Sequence, residues 1–247
     1  MKFYILTFFA LLFSLNAEAQ FRISLESGAA FTQYNDVRVP NGDQGQGTLF
    51  SFSDDFEDVN PTVFFRAELA YLIEDRHMVE LTAAPLIIEY DNATLNNIDF
   101  AGTNFSGDGI NGRYEFNTYR ATYRYRLVNR DKLKFGIGAS LLVRDARIAL
   151  SQGDLEADDT DLGFVPLVSF ELSYTPEEKL SLLLKGDALV GPQGRAEDIF
   201  AGVLYNVLGE RLRLKAGYRL IEGGADVDQV YNFAFIHFAD IGVVLTL

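Results

Sequence analysis

The chain has 247 residues, of which 48% are hydrophobic and 23% charged, so it is too polar for a membrane protein built from apolar helices. Acidic residues outnumber basic ones by 35 to 21, and the net charge of −14 disfavours nucleic-acid binding, which needs positive side chains. The chain has no cysteine, which excludes a disulfide framework and a lipid anchor attached through cysteine.

The beginning of the chain has the pattern of a secretory signal peptide. Lys2 is followed by a mostly apolar run over residues 3–15, and Ala17 and Ala19 provide the small residues of a cleavage site. The run is too short for a membrane-spanning helix. The sequence therefore predicts a signal peptide over residues 1–19 and a single β-barrel domain over residues 20–247.

Alternation of polar and apolar side chains is clearest in residues 114–127. Arg120 and Arg124 fall on one face of an extended chain, whereas Tyr119 and Tyr123 fall on the other, because strand side chains alternate sides. The same pattern predicts ten strands, at residues 21–33, 62–73, 78–90, 114–127, 133–150, 162–174, 180–190, 197–207, 212–221 and 230–247.

The connections between these strands alternate in length. Residues 74–77, 128–131, 175–178 and 208–211 are predicted tight turns, whereas residues 35–61, 91–113 and 151–161 are predicted long polar loops. The fold class predicted is all-β: an up-and-down antiparallel transmembrane β-barrel of about ten strands, with short periplasmic turns and longer outer loops. A lipocalin-like soluble barrel also alternates. It is disfavoured by the turn asymmetry, the even strand count and strands of about 11 residues, against about 5–6 in globular proteins.

With the apolar face outward, charges of both signs face the lumen. Ten strands leave a narrow lumen, so these side chains are expected to plug it as ion pairs rather than to line a transport path. The predicted lattice consists of Arg66, Glu68, Arg120, Arg124, Arg126, Glu171, Lys185, Asp187, Arg213, Lys215 and Arg219, and the same face carries Glu26, Glu80, Lys134 and Asp240.

A second group of polar residues is predicted at the outer ends of the later strands. The segments 143–147, 191–198 and 222–228 are polar, and the meander brings them to one rim, where they either close hairpins or form a recognition site. Arg147 is expected to meet a lipid phosphate in the outer leaflet. The predicted rim cluster is Arg144, Arg147, Arg195, Glu197, Asp198, Glu222, Asp226 and His237.

The sequence contains no complete catalytic or metal-binding motif. The chain has two histidines, of which His77 lies in a predicted turn and His237 is phased toward lipid, without a joint nucleophile, base and orienter. The acidic segment 154–161 fails as an EF-hand because Asp159 stands where that loop needs glycine and Val165 where it needs glutamate. We therefore predict no catalytic residue, no cofactor and no metal site.

The leader, the meander and the alternating strands resemble those of small bacterial outer-membrane β-barrel proteins. The resemblance implies location in the bacterial outer membrane, with membrane lipids and the barrel assembly machinery as partners; it assigns no activity and no surface ligand. Lipid A deacylases of this type place His and Ser two residues apart, but here the residue two positions after His237 is Ala239. Omptin-type proteases use an Asp–His pair, whereas Asp240 and His237 face opposite sides. The family's usual terminal aromatic is replaced by Leu247.

Three functions are compatible with these patterns. The first is a non-enzymatic barrel with a plugged lumen that serves envelope structure or surface recognition. The alternatives are a narrow pore for small solutes and a lipid- or peptide-processing enzyme at the outer rim.

Overall fold

The computed structural model describes residues 20–42, 45–57, 61–192 and 194–247. The predicted signal peptide, residues 1–19, lies outside the described residues. Among these residues the structure contains no apolar helix of membrane-spanning length.

Twelve strands account for most of the described chain. They are β1 (Gln20–Arg38), β2 (Phe50–Ser51), β3 (Thr62–Ile73), β4 (His77–Ala84), β5 (Ile87–Phe100), β6 (Thr103–Arg130), β7 (Leu133–Gln152), β8 (Leu155–Glu177), β9 (Leu180–Gly191), β10 (Gly194–Asn206), β11 (Leu212–Asp226) and β12 (Tyr231–Thr246).

Ten of these strands form a closed ring. Each pairs antiparallel with its neighbours in the order β1, β3, β4, β6, β7, β8, β9, β10, β11 and β12, and the pairing of β12 with β1 closes the sheet. The short β2 adds to β1, and β5 continues the line of β4 along β6. Closure leaves no strand edge unpaired in the ring. The predicted up-and-down barrel of about ten strands is confirmed.

The two ends of the barrel differ in their connections. Residues 74–76, 131–132, 178–179 and 207–211 connect strands at the end that also holds Gln20 and Thr246, which we call the short-turn end. The opposite end carries the protruding β5–β6 and β7–β8 hairpins and the segment between β1 and β3; we call it the long-hairpin end. The predicted alternation of short and long connections is present.

For two segments the prediction of a loop is wrong, because both form strands. Residues 91–113 form the hairpin of β5 and β6, which reverses at Ala101 and Gly102 with φ angles of 48° and 78°. A two-residue hairpin of this kind needs positive φ at both central positions. Residues 151–161 belong to β7 and β8, which reverse at Gly153 with a φ of 59°. In the β5–β6 hairpin the polar outward side chains alternate with an inward apolar row that includes Leu95, Ile98 and Phe105.

That inward row forms an aromatic core at the long-hairpin end. β6 has 28 residues, about 90 Å at ~3.3 Å per residue, far more than the ~10 residues that a membrane-spanning strand needs. The segment between β1 and β3 folds back against the inner face of the hairpin, where Phe52 stacks on Tyr90 with ring centroids 4.5 Å apart. Gly112 makes room for it, because a Cβ there would lie 2.2 Å from the Phe52 ring.

The outward face of the ring is apolar over its middle. Its exposed apolar side chains include Val63, Leu81, Leu141, Phe164 and Ile241. A closed sheet that is polar inside and apolar outside suits a lipid environment rather than water. Toward the long-hairpin end this surface gives way to charges: Arg113 contacts Glu89 and Glu115 on the outward face.

The aromatic core generates a prediction about Phe52, which is fully buried. Its replacement by alanine is expected to lower the free energy of unfolding by about 3–5 kcal/mol, since the lost contacts leave a cavity. Chemical unfolding of the detergent-solubilised protein measures this change. Phe164→Ala is the matched control, because that ring is 66% exposed on the outward face. An equal loss in both variants would contradict the prediction.

Candidate functional site

A network of ion pairs fills the middle of the lumen. Its members are joined through shared contacts of 2.5–3.6 Å, and the network is electrically balanced, with seven cations and seven carboxylates: Arg22, Arg66, Arg120, Arg124, Lys185, Lys215 and Arg219 with Glu26, Glu68, Glu80, Glu171, Asp187, Asp198 and Asp240. We call this set the lumen lattice.

The layer of the lattice toward the long-hairpin end is organised around Asp198. Its carboxylate contacts Arg120 at 2.6 Å, Arg219 at 2.8 Å and Arg66 at 3.0 Å. Arg219 also reaches Glu26 at 2.7 Å. Three guanidinium groups on one carboxylate are stable only because each contacts a further carboxylate, so the layer is held as a unit.

The layer toward the short-turn end is organised around Glu80. Its carboxylate contacts Lys185 at 2.7 Å and Arg124 at 2.8 Å. Arg124 also approaches Glu171 at 3.5 Å. Glu68 joins the two layers, because it contacts Arg66 at 3.0 Å and Lys185 at 2.8 Å.

Strand alternation explains why these side chains meet. Every ring strand except β7 contributes at least one lattice member, and β7 instead places Gly136, Gly138 and Ser140 on the inner face. These small residues lie opposite Arg126, Arg124 and Thr122 of β6. The sequence of β7 thus leaves space in the lumen for the long cationic side chains of β6.

Nine of the eleven predicted lattice residues take part in this network, and two do not. Arg126 donates to the backbone carbonyl of Asp75 at 3.1 Å, and neither Arg126 nor Arg213 forms an ion pair within the described residues. Both lie at the short-turn end, beyond the carboxylates of the lattice. Arg22 is a lattice member that the sequence analysis missed, although its spacing from Glu26 puts both on one face.

Asp198 is a correction to the predicted rim cluster. The sequence assigns it to a polar outer segment, but β10 begins at Gly194, so that Asp198 lies inside the strand and points into the lumen. The strand was predicted to begin at residue 197, three residues too late. The misplaced boundary turned a central lattice residue into a rim residue.

The remaining rim residues do not form one cluster. Arg195 contacts Glu222 through its Nε at 2.7 and 2.9 Å, and the Tyr34 hydroxyl donates to the same carboxylate. The Arg195 guanidinium also lies 4.8 Å from the centre of the Phe233 ring. Glu197 lies on the same face, and Asp226 accepts a hydrogen bond from Asn41 at 2.8 Å.

The two predicted rim arginines of β7 are on opposite faces. Arg144 pairs with Asp161 inside the barrel mouth. Arg147 points outward, where it contacts Asp158 at 2.9 Å, Glu156 at 3.1 Å and Glu115 at 3.5 Å. Its charge is therefore satisfied by three carboxylates, which removes the basis for the expected contact with a lipid phosphate.

A small pocket opens at the long-hairpin end above the lattice. Its volume is ≈ 80 Å³, and its walls are formed by apolar side chains such as Leu142, Ile148 and Ile236 above Arg120 and Asp198. A cavity of about 150 Å³ holds benzene, so this pocket accepts only a group of a few heavy atoms. Burial, and then the carboxylates of Asp161 and Asp158, raise the pKa of Asp159 at its edge.

Both histidines lie on the outward face. His77 Nδ1 is 2.8 Å from the Tyr123 hydroxyl, and His237 contacts Tyr218 and Gln33. Asp240 faces the lumen, on the other side of the sheet from His237. Within the described ranges no group of three or more His, Asp or Glu side chains is placed to hold a metal ion.

Comparisons with known proteins assign the fold. No protein-family model matches the chain, and no curated protein sequence matches it. Its structure is similar to that of the outer membrane protease OmpT from Escherichia coli, with a TM-score of 0.56 and 9% identity over 92% of this chain and 97% of that chain. Ail, the attachment invasion locus protein of Yersinia pestis, gives a TM-score of 0.42 and 9% identity over 92% and 99% of the two chains.

At this level of identity the likeness to OmpT shows the fold alone. The chain thus has the fold of the outer-membrane β-barrel proteins. Proteins of one fold carry many activities, so the protease activity of OmpT is not transferred with it.

The lattice generates a prediction about Arg124, whose side chain is 1% exposed. Arg124→Leu is expected to lower the free energy of unfolding by about 3 kcal/mol or more, because Glu80 and Glu171 lose a buried partner. Arg124→Lys keeps a positive charge and should lose less. Arg130→Leu, at an exposed position of the same strand, is the control. A negligible effect of Arg124→Leu in detergent would indicate a hydrated, open lumen.

The contact between Arg195 and Glu222, which we call the rim pair, generates a second prediction. Arg195 is 43% exposed and Glu222 14% exposed, so solvent screening limits their coupling to about 1 kcal/mol or less. A double-mutant cycle on Arg195→Ala and Glu222→Ala, scored by unfolding in detergent, measures it. The matched cycle on Arg147→Ala and Glu222→Ala should be additive, since these residues share no contact in the described structure. Equal coupling in both cycles would show that the rim pair is not specific.

Proposed function

We propose that this protein is a closed β-barrel of the bacterial outer membrane, which serves envelope structure or surface recognition and does not act as a pore or an enzyme. The observation that carries the proposal is the lumen lattice. A balanced network with contributions from nine of the ten ring strands fills the cross-section where a channel would have to pass.

The energetics of the lattice support closure. Apart from Arg22 and Glu171, no lattice side chain is more than 7% exposed. Moving a permeating ion past these groups requires separating buried charge pairs, which costs several kcal/mol for each group left unpaired. The aromatic core packs part of the lumen nearer the long-hairpin end, beside the small pocket that reaches Arg120 and Asp198, so that the lattice is what closes the passage.

The orientation follows from the two ends of the barrel. In outer-membrane barrels the short turns face the periplasm and the longer loops face outward, so the long-hairpin end is the outer surface here. The predicted signal peptide would direct export, and the barrel assembly machinery would insert the strands. Outer-membrane lipids would then cover the apolar band that includes Leu81, Leu141 and Phe164.

Surface recognition would use the long-hairpin end. The protruding hairpins place the small apolar pocket at the bottom of a mouth edged by Arg144, Asp159 and Asp161. A side chain of a bound partner could enter this pocket while the hairpins supply the remaining contacts.

Fractionation and conductance test the proposal together. The protein is expected in the outer-membrane fraction, soluble only with detergent, and purified barrels should give no conductance steps in planar bilayers. A variant with alanine at Arg120, Asp187, Asp198 and Arg219 removes two cations and two carboxylates from the lattice and is expected to conduct. Regular conductance steps from the unmodified protein would overturn the closed-lumen proposal.

The outward pair of Arg147 and Asp158 provides the control for this experiment. Replacing both by alanine removes equal numbers of cations and carboxylates, as the lattice variant does, but takes them from the outer face of the sheet. This variant should remain closed. Recovery of the unmodified chain from the periplasm without detergent would contradict the membrane location itself.

A further inference from the structure

The short-turn end of the lumen contains a second, much larger cavity. Its volume is ≈ 710 Å³, within the range of about 300–1,000 Å³ that small-molecule sites occupy. The cavity extends from the short turns to the layer of the lattice toward the short-turn end, where it reaches Arg22, Glu171 and Lys185. It is thus separated from the long-hairpin pocket by the lattice.

Two arginines in its wall lack carboxylate partners. Within the described residues neither Arg126 nor Arg213 forms an ion pair, and the buried Nε of Arg213 has no hydrogen-bond partner. Within the described residues the Arg126 side chain donates one hydrogen bond, to the backbone oxygen of Asp75 at 3.1 Å. Arg22 lines the same cavity and shares Glu80 and Glu171 with Arg124.

The carboxylates near this cavity do not neutralise these arginines. Of the two deep carboxylates, Glu171 is already shared by Arg22 and Arg124, and Glu68 is already shared by Arg66 and Lys185. Asp75, Asp131, Glu178 and Glu210 belong to the turns at the cavity mouth and form no ion pair within the described chain. The inner part of the cavity therefore has an excess of positive charge, in contrast to the balanced lattice beside it.

We propose that this cavity binds a small multi-oxygen anion, a phosphate or carboxylate group, through Arg126 and Arg213 with Arg22 behind them. A guanidinium presents several N–H donors in a fixed plane and suits the oxygens of both groups. The anion supplies a negative charge next to Arg126 and Arg213, which form no ion pair within the described residues, and it lowers the repulsion among three like charges. The ligand enters from the short-turn end.

The proposal goes beyond the proposed outer-surface role and is independent of it. Conductance measurements test whether the lumen is closed, whereas anion binding is measured with the barrel closed or open. Failure of one therefore does not imply failure of the other.

Binding is tested with inorganic phosphate and with citrate on the detergent-solubilised full barrel. Isothermal titration calorimetry and the unfolding temperature are compared with sodium chloride at matched ionic strength. Phosphate or citrate is expected to raise the unfolding temperature more than chloride does, because a ligand of the folded state stabilises it. A preference for one of the two probes distinguishes a phosphate site from a carboxylate site.

Variants locate the binding. Arg126→Gln and Arg213→Gln should each weaken binding about tenfold, the loss of one charge-assisted hydrogen bond. Arg130→Gln is the matched control: it removes one positive charge at an exposed position near the same end and should bind as the unmodified chain does. Arg126→Lys keeps the charge without the planar fork and should bind with intermediate strength.

Three results would overturn the proposal. The first is equal stabilisation by phosphate, citrate and chloride at one ionic strength. The second is binding that Arg126→Gln and Arg213→Gln leave unchanged. The third is the same loss in Arg130→Gln, which would indicate a diffuse surface effect. Heat-modifiable migration on gels shows that each variant is folded before it is scored.

Discussion

The constraint on which the rest of this structure depends is that charges inside a barrel must be paired. Side chains on the inner face have no bulk water, and an isolated charge there costs several kcal/mol. Seven cations and seven carboxylates meet this requirement together. Because its members come from nearly every ring strand, the lattice also ties together strands that are far apart in the sequence, such as β1 and β11 through Glu26 and Arg219.

At the long-hairpin end the inside of the barrel is filled by apolar packing rather than by ion pairs. There the lumen is packed with aromatic and aliphatic side chains, and Phe52 comes from a segment outside the ring. Outside the membrane a barrel section can follow the ordinary rule of soluble proteins, with apolar residues inside and charges outside. On β6 and β7 the outward face changes from apolar to charged toward this end, where Arg113 pairs with Glu115 and Arg147 pairs with Asp158.

Much of the fold follows from alternation along each strand. The ring strand β3 was predicted at its observed limits, and the inward position of Arg66, Arg120 or Lys185 requires only a count of alternate residues. The pairings do not follow in the same way. Arg120 meets Asp198 across 78 residues of sequence, and that meeting depends on the stagger of all the strands between them.

Other features lacked a readable signal. Phe50, Phe52 and Phe56 lie in a segment predicted as a long polar loop, because the alternation of Phe50 and Phe52 with serines is too short to predict a strand. The β5–β6 hairpin was predicted as a loop, because the adjacent pairs Asp91-Asn92 and Asn96-Asn97 resemble turn residues and interrupt the alternation where the strand register shifts. Asp198 shows the cost of one misplaced boundary. A three-residue error at the start of β10 moved a central lattice residue to the rim.

The charge balance of the lattice also bears on where the net charge of the protein resides. Since the lattice sums to zero, the formal charge of −14 belongs to the rest of the chain, much of it on the outward faces and turns. In physiological salt such surface charges are screened beyond about 8 Å. An anion that enters the short-turn cavity is therefore influenced mainly by the nearest groups, Arg22, Arg126 and Arg213, rather than by the acidic surface. Local pairing, not net charge, determines which ions this barrel can hold.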